Sequence, residues 1–185
     1  MRVDPDSGWI GDARRVPSPN CDARPPGTAI DLVIVHGISL PPGEFGGPWI
    51  DALFCNRLPV DAHPYFRAIA GAAVSAHLLI RRDGELVQYV PFHLRAWHAG
   101  ESRYGRRTRC NDFSVGVELE GAGHTRYEAA QYHRLAQVIE ALMEAYPGIH
   151  PERIVGHGDI APGRKSDPWP IFDWARLRGL LAGRP

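Results

Sequence analysis

The chain has 185 residues, and its 21 Lys and Arg balance 21 Asp and Glu, so no global field draws it to nucleic acid or to an anionic membrane surface. This length suits one domain over residues 1–185, and no internal repeat or linker divides it. Gly (20) and Pro (17) make up a fifth of the residues, against roughly 12% in average usage, which predicts long, shaped loops.

The opening Met1-Arg2-Val3-Asp4-Pro5-Asp6 has no basic segment leading into an apolar one. No later run approaches the ~18 apolar residues of a membrane span, so a cytoplasmic protein is expected. Leu32–His36 is a short apolar run that predicts a buried strand ending in a histidine, and Leu40-Pro41-Pro42-Gly43 opens a long loop beside it. Gly46–Cys55 reads as a short helix. His77–Ile80 and Glu85–Val90 flank Arg81-Arg82-Asp83-Gly84, where Asp-Gly predicts a hairpin between antiparallel strands. Ser114–Glu120 alternates: Val115, Val117 and Leu119 face a core, while Glu118 and Glu120 share the other face, Glu120 as a solvated side chain. Thr125 and Glu128 have capping-box spacing. Tyr132, Leu135, Ile139, Leu142, Met143 and Tyr146 then form an apolar stripe, so a helix is expected to about Tyr146. A terminal helix is expected from Phe172 to about Leu180. Cys21, Cys55 and Cys110 lack CxxC spacing and cannot all pair, which fits reduced thiols. The element order predicts an α/β domain, a mixed β-sheet flanked by helices.

The chemistry concentrates in Gly156-His157-Gly158-Asp159-Ile160-Ala161-Pro162-Gly163-Arg164-Lys165-Ser166-Asp167-Pro168-Trp169-Pro170. Its Gly and Pro content argues against regular helix or strand and for a loop presenting polar groups. A metal site here needs ligands from elsewhere. His36 is the best remote candidate, because a side chain at the end of a buried strand projects into the crevice that α/β proteins use. His36, His157 and Asp167 offer two imidazoles and one carboxylate with a fourth position open, the ligand count of a catalytic zinc site. Glu118 is the best general-base candidate, on the strand face opposite the valines. Lys165, two residues before Asp167, suits a cation that holds a developing oxyanion.

Other readings compete. His124, His133 and His150 fit structural or solvated roles around the long helix, His77 belongs to a strand, and His63 precedes Pro64 in a loop. His98, in Trp97-His98-Ala99-Gly100, suits either a substrate groove or a packed loop. Arg103, Arg106, Arg107 and Arg109 form either a solvated basic loop or a docking surface for substrate carboxylates. Trp97, His98 and Arg109 are thus the candidate substrate contacts. His157-Gly158-Asp159 is also the His-x-Asp part of a facial triad for non-haem iron; no histidine follows position 157 to complete it, and His36 would have to replace it. Cys110 with His98 is imaginable as a thiol dyad, against a plain role as a small buried hydrophobe. There is no G-x-S-x-G elbow, P-loop or dinucleotide fingerprint.

From about Gly8 to Arg178 the chain resembles the AmpD-type 1,6-anhydro-N-acetylmuramoyl-L-alanine amidases, within the wider amidase and peptidoglycan-recognition fold family. The resemblance is carried by Ala13-Arg14-Arg15-Val16-Pro17-Ser18-Pro19-Asn20, Ile38-Ser39-Leu40-Pro41-Pro42-Gly43-Glu44-Phe45-Gly46-Gly47, His63-Pro64-Tyr65-Phe66, Arg95-Ala96-Trp97-His98-Ala99-Gly100 and Cys110-Asn111-Asp112-Phe113-Ser114, in that order. It implies one zinc on His36, His157 and Asp167, with the functional carboxylate and lysine at Glu118 and Lys165. It implies hydrolysis of the amide joining 1,6-anhydro-N-acetylmuramic acid to L-alanine of the stem peptide, on small soluble anhydro-muropeptides during cytoplasmic recycling. Two positions depart from the pattern: Gly37 stands where the family usually has Asn, and Ala73 where an arginine for the peptide stem is expected. A module that keeps this fold only to bind is the competing class, and the retained Asp167, Glu118 and Lys165 disfavour it.

Overall fold

The structure, a computed structural model, describes residues 1–183. In chain order it runs β1 (Arg14–Arg15), β2 (Cys21–Ala23), β3 (Leu32–Ile38), α1 (Trp49–Phe54), α2 (Pro64–Ala68), β4 (Leu78–Ile80), β5 (Leu86–Gln88), β6 (Leu94–Ala96), β7 (Arg103–Tyr104), β8 (Arg107–Thr108), β9 (Ser114–Glu120), α3 (Ala129–Ala145), β10 (Ile154–Gly156), α4 (His157–Ile160) and α5 (Trp174–Ala182). Six strands form one mixed sheet in the order β1-β5-β4-β9-β3-β10, in which β4, β9, β3 and β10 are mutually parallel and β5 pairs antiparallel with β4. That is the mixed, helix-flanked sheet the sequence predicts. The Asp83-Gly84 hairpin falls between β4 and β5, and α1 lies inside the expected Gly46–Cys55 segment.

Strand alternation decides what covers each face. Val33 and Val35 of β3 and Val115, Val117 and Leu119 of β9 point to one side, where Leu135, Ile139 and Leu142 of α3 and Leu177 of α5 close the core. Leu32 and Ile34 point to the other, against Ala99, Cys110, Phe113 and Ile160. Leu79 and Val87 join Ile50, Phe54 and Phe66 on that second side. All seven residues of β9 are therefore buried, as expected of a parallel strand covered on both faces.

Helix α3 begins later than its sequence signal. Thr125 is used in a turn, its N–H bonded to the Ala122 carbonyl (3.0 Å). Glu128 takes the N-cap position, with its N–H donating to Gln131 Oε1 at 2.9 Å. Burying each of Leu135, Ile139 and Leu142 is worth roughly 1.5–3 kcal/mol against ~1 for a cap, so packing outweighs capping in fixing this helix. Helix α5 starts two residues after Phe172, because Asp173 caps the Arg176 N–H (2.9 Å) while Phe172 is buried. His63 caps α2, its Nδ1 accepting from the Tyr65 N–H at 3.1 Å.

Two further expectations are corrected. Glu120 is not solvated: it is 2% exposed and accepts from Gly46 N–H (2.7 Å), Arg81 (3.1 Å) and Arg82 N–H (3.3 Å). The loop after β3 folds over that end of the sheet, which alternation within β9 does not reveal. His157–Ile160, expected as loop, is one helical turn, because the Asp159 carboxylate accepts the Gly156 N–H at 2.7 Å and closes it. Cys21, Cys55 and Cys110 are free thiols, and among the described residues no helix is long and apolar enough to cross a membrane.

Candidate metal centre

Strands β9, β3 and β10 end side by side, with His36 opposite Glu118 and Val35 opposite Gly156. Their carboxyl ends therefore deliver His36, Glu118 and, one residue beyond β10, His157 to a single crevice, the position α/β sheets favour for sites. Asp167 returns to it from the loop after α4, and its carbonyl is held by the Gly158 N–H (3.0 Å).

His36 Nδ1, His157 Nδ1 and Asp167 Oδ2 form a triangle with edges of 3.0, 3.1 and 3.2 Å. A tetrahedral zinc with bonds of ~2.0–2.2 Å spaces its ligands roughly 3.3–3.6 Å apart, so these donors lie within about half an ångström of zinc spacing and leave one vertex free. Protonation states agree with ligation. Burial, reinforced by His157, lowers the His36 pKa to about 4 despite the Asp167 carboxylate beside it. Burial opposes ionisation of Asp167, but the His157 and His36 imidazoles beside it outweigh burial and hold the carboxyl well below the ordinary range. His157 Nε2 lies 3.2 Å from the Ala99 carbonyl. A carbonyl only accepts, so Nε2 carries the proton and Nδ1 presents a lone pair.

Glu118 is 9% exposed, and its buried Oε2 accepts no hydrogen bond from the described residues. Burial first, then the Asp167 charge, raise its pKa well above the ordinary value, while Lys165 pulls it down. A buried carboxylate oxygen left unpaired costs on the order of 1–3 kcal/mol or more, so its place beside three metal donors marks a functional group. Lys165 is exposed, yet both Glu118 and His36 feel its charge.

The remaining sequence candidates separate. Asp159 is exposed, bonds Gly156 and stands outside the donor cluster, so the iron facial triad does not form. His98 turns inward: Nδ1 lies 2.9 Å from His36 Nε2 and Nε2 lies 3.3 Å from Ser114 Oγ. Both ring nitrogens of this half-buried residue are bonded inside the protein, so no nitrogen remains for a dyad with Cys110. Trp97 Nε1 donates to Asp22 Oδ1 (3.2 Å), and Arg109, at φ 59°, pairs with Asp112 at 3.4 Å. Arg107 lies over the Phe113 ring and pairs with Asp31 (2.9 Å), a structural use of one residue of the basic loop.

Three residues escape sequence reasoning. Asn111 Oδ1 accepts from both the His98 and Ala99 N–H groups (3.1 and 2.8 Å), clamping the loop behind the site. Tyr127 feels the Glu118 and Asp167 charges and donates to the Pro168 carbonyl at 3.3 Å. Trp169 stands in the left-handed region at φ 63°, uncommon for a bulky residue. A Cβ on Gly37 would lie 2.3 Å from the Trp169 ring and 2.4 Å from the Tyr127 hydroxyl. Gly37 is thus the residue that makes room for this indole. Only the departure from the expected asparagine hinted at it.

Comparison with known proteins places this geometry. A family model described as N-acetylmuramoyl-L-alanine amidase matches residues 26–170. The 1,6-anhydro-N-acetylmuramyl-L-alanine amidase AmpD of Salmonella typhimurium (strain SL1344) is 60% identical over 178 residues, 96% of this chain and 95% of that one. The crystal structure of a selenomethionine AmpD derivative matches with a TM-score of 0.94 at 59% identity, covering 98% of this chain and 99% of the other. AmpDh3 from Pseudomonas aeruginosa, crystallised with anhydromuramic pentapeptide, matches with a TM-score of 0.62 at 28% identity, over 86% of this chain and 62% of its own.

Proposed function

Because the chain belongs to the N-acetylmuramoyl-L-alanine amidase family, we propose that it is a zinc-dependent amidase acting on soluble anhydro-muropeptides in the cytoplasm, with its activity carried by one domain. The bond cleaved joins the lactyl group of 1,6-anhydro-N-acetylmuramic acid to L-alanine of the stem peptide. The observation that carries this reading is the triangle of His36, His157 and Asp167 donors with the unpaired Glu118 carboxylate at the same strand ends. Zinc, when bound there, supplies a Lewis acid that polarises the scissile carbonyl and acidifies a water.

The chain's own groups do the rest. Glu118 Oε2 takes the proton of the attacking water and returns it to the departing alanine nitrogen, a role open to a carboxylate with no competing hydrogen bond. The Lys165 ammonium, close enough to be felt by Glu118 and His36, stabilises the oxyanion of the tetrahedral intermediate. Lys165→Ala is therefore expected to lower kcat roughly 100-fold while zinc content stays at the wild-type level; metal analysis and steady-state kinetics on one preparation check both. Trp97 and Arg109 neighbour each other through Asp22. They are proposed as substrate contacts, the indole by its face and the guanidinium toward a stem carboxylate.

The test of substrate compares anhydro-muramyl peptides with the corresponding reducing-end muropeptides by mass spectrometry. Their kcat/KM ratio is expected to exceed ~10, about 1.4 kcal/mol in transition-state binding. A chain with equal cationic and anionic counts has no electrostatic hold on polymeric wall, so intact sacculi should be poor substrates. Equal rates on both sugar forms, or faster release from sacculi, would overturn the recycling role and leave the amidase chemistry intact.

A further inference from the structure

We infer that His98 is a positioning residue that locks the tautomer of His36, and that it does so through a hydrogen-bond chain ending on a backbone carbonyl. The inference rests on the zinc reading above. His36 Nε2 lies 2.9 Å from His98 Nδ1, His98 Nε2 lies 3.3 Å from Ser114 Oγ, and Ser114 Oγ lies 2.6 Å from the Cys110 carbonyl. The far end sets the direction. A carbonyl cannot donate, so the Ser114 hydroxyl gives it the proton and keeps its lone pairs for His98. His98 Nε2 then carries the hydrogen, and a neutral imidazole has only one, so His98 Nδ1 is bare and accepts from His36 Nε2–H. His36 Nδ1 is left as a lone pair directed at His157 and Asp167.

The opposite tautomer of His36 gains a hydrogen bond from Nδ1–H to Asp167 Oδ2 at 3.2 Å, but it is penalised twice. It would set two bare nitrogens against each other at 2.9 Å, and it would put a proton where the metal belongs. His157 obtains the same control more simply, from the Ala99 carbonyl at 3.2 Å. The Trp97–Gly100 loop therefore fixes both histidine ligands, one by a side chain and the other by its backbone.

The fold holds His98 from two sides. Its N–H is clamped by Asn111 Oδ1 at 3.1 Å, and its ring lies on Gly116 in the middle of β9. A Cβ there would stand 2.5, 2.6 and 2.7 Å from His98 Cγ, Nδ1 and Cδ2. Glycine weakens a strand interior and marks a place of close approach; here what approaches is the His98 ring. The chain thus accepts a poor strand residue at the position that seats the relay.

The experiment measures zinc affinity by chelator competition for wild type, His98→Leu and His98→Gln. It also reads the His36 tautomer by nitrogen-15 NMR of the metal-free proteins, with melting curves to confirm folding. His98→Leu removes the acceptor and is expected to weaken zinc binding ~10- to 100-fold and to populate both His36 tautomers, whereas His98→Gln supplies an amide oxygen and should stay within ~3-fold of wild type. A folded His98→Leu protein with wild-type zinc affinity and an unchanged His36 tautomer would overturn the inference. So would a His98→Gln protein no better than His98→Leu. Wild-type protein without measurable zinc affinity would instead overturn the zinc reading, and the tautomer signal in the metal-free proteins would still decide what His98 does.

Discussion

Asp167→Ala protein is expected to purify without zinc and without amidase activity, whereas Asp159→Asn keeps both. The two aspartates lie eight positions apart, Asp159 in α4 and Asp167 in the loop after it, and their chemistry divides cleanly. Asp167 Oδ2 is 3.1 Å from His157 Nδ1 and 3.2 Å from His36 Nδ1, and the only charged donor of the three is lost with it. Two neutral imidazoles at 3.0 Å do not hold a divalent ion as a two-nitrogen, one-carboxylate set does. The loss in zinc affinity should exceed the ~10- to 100-fold typical of removing a supporting group behind a ligand. Asp159 touches the Gly156 N–H instead (2.7 Å). Asparagine keeps an accepting oxygen, so the cost is that of a weakened cap, under about 1 kcal/mol. Metal analysis of both variants decides the matter: a filled Asp167→Ala site beside an empty Asp159→Asn site would mean that the donor set is wrong.

Glu118→Gln should retain zinc and the fold while lowering kcat by roughly 100- to 10,000-fold, the range for a lost general base. Glutamine has nearly the same shape and cannot accept the proton, so turnover near wild type in metal-replete protein would remove Glu118 from the mechanism. A second signature has the opposite sign. In the metal-free protein, burial holds the Glu118 carboxyl well above its ordinary pKa. The fold therefore favours the protonated form, and wild type loses stability as pH rises from the ordinary carboxylate value through the raised one. Metal-free Glu118→Gln should accordingly melt higher than metal-free wild type at neutral pH. The gain should vanish at pH values below the ordinary carboxylate range, where Glu118 is protonated folded or unfolded. Melting curves at two pH values test this, with about 2–4 °C expected for each kcal/mol in a chain of this length.

What the sequence made legible follows from how far each signal reaches. Alternation in Ser114–Glu120 identified the faces of β9 and so brought Glu118 to the crevice. It could not show that Glu120 would be covered by the Gly46 N–H and Arg81, because that cover comes from chain 74 and 39 residues away. His36, His157 and Asp167 could be grouped from residue type and from a strand end, two local properties. The relay role of His98 needed a partner 62 residues distant, and the grip of Asn111 on two backbone N–H groups leaves no periodic trace. The turn at His157–Ile160 was hidden for another reason: Gly and Pro around it read as loop, and the side chain that closes it, Asp159, looked like a possible ligand.

The contact between Trp169 and Gly37 couples two positions far apart in the chain. The indole fills the volume that any side chain at position 37 would need, so substitutions at the two positions cannot be independent. Gly37→Asn is therefore expected to be tolerated better beside Trp169→Gly than beside the native indole, as melting curves of the single and double variants would show. The left-handed backbone at Trp169 is a conformation glycine adopts without strain, so glycine is the residue best suited to that backbone once the ring is removed. Gly37 follows the His36 donor and Trp169 lies two residues beyond the Asp167 donor, so the coupled pair ties together the two chain segments that carry those donors.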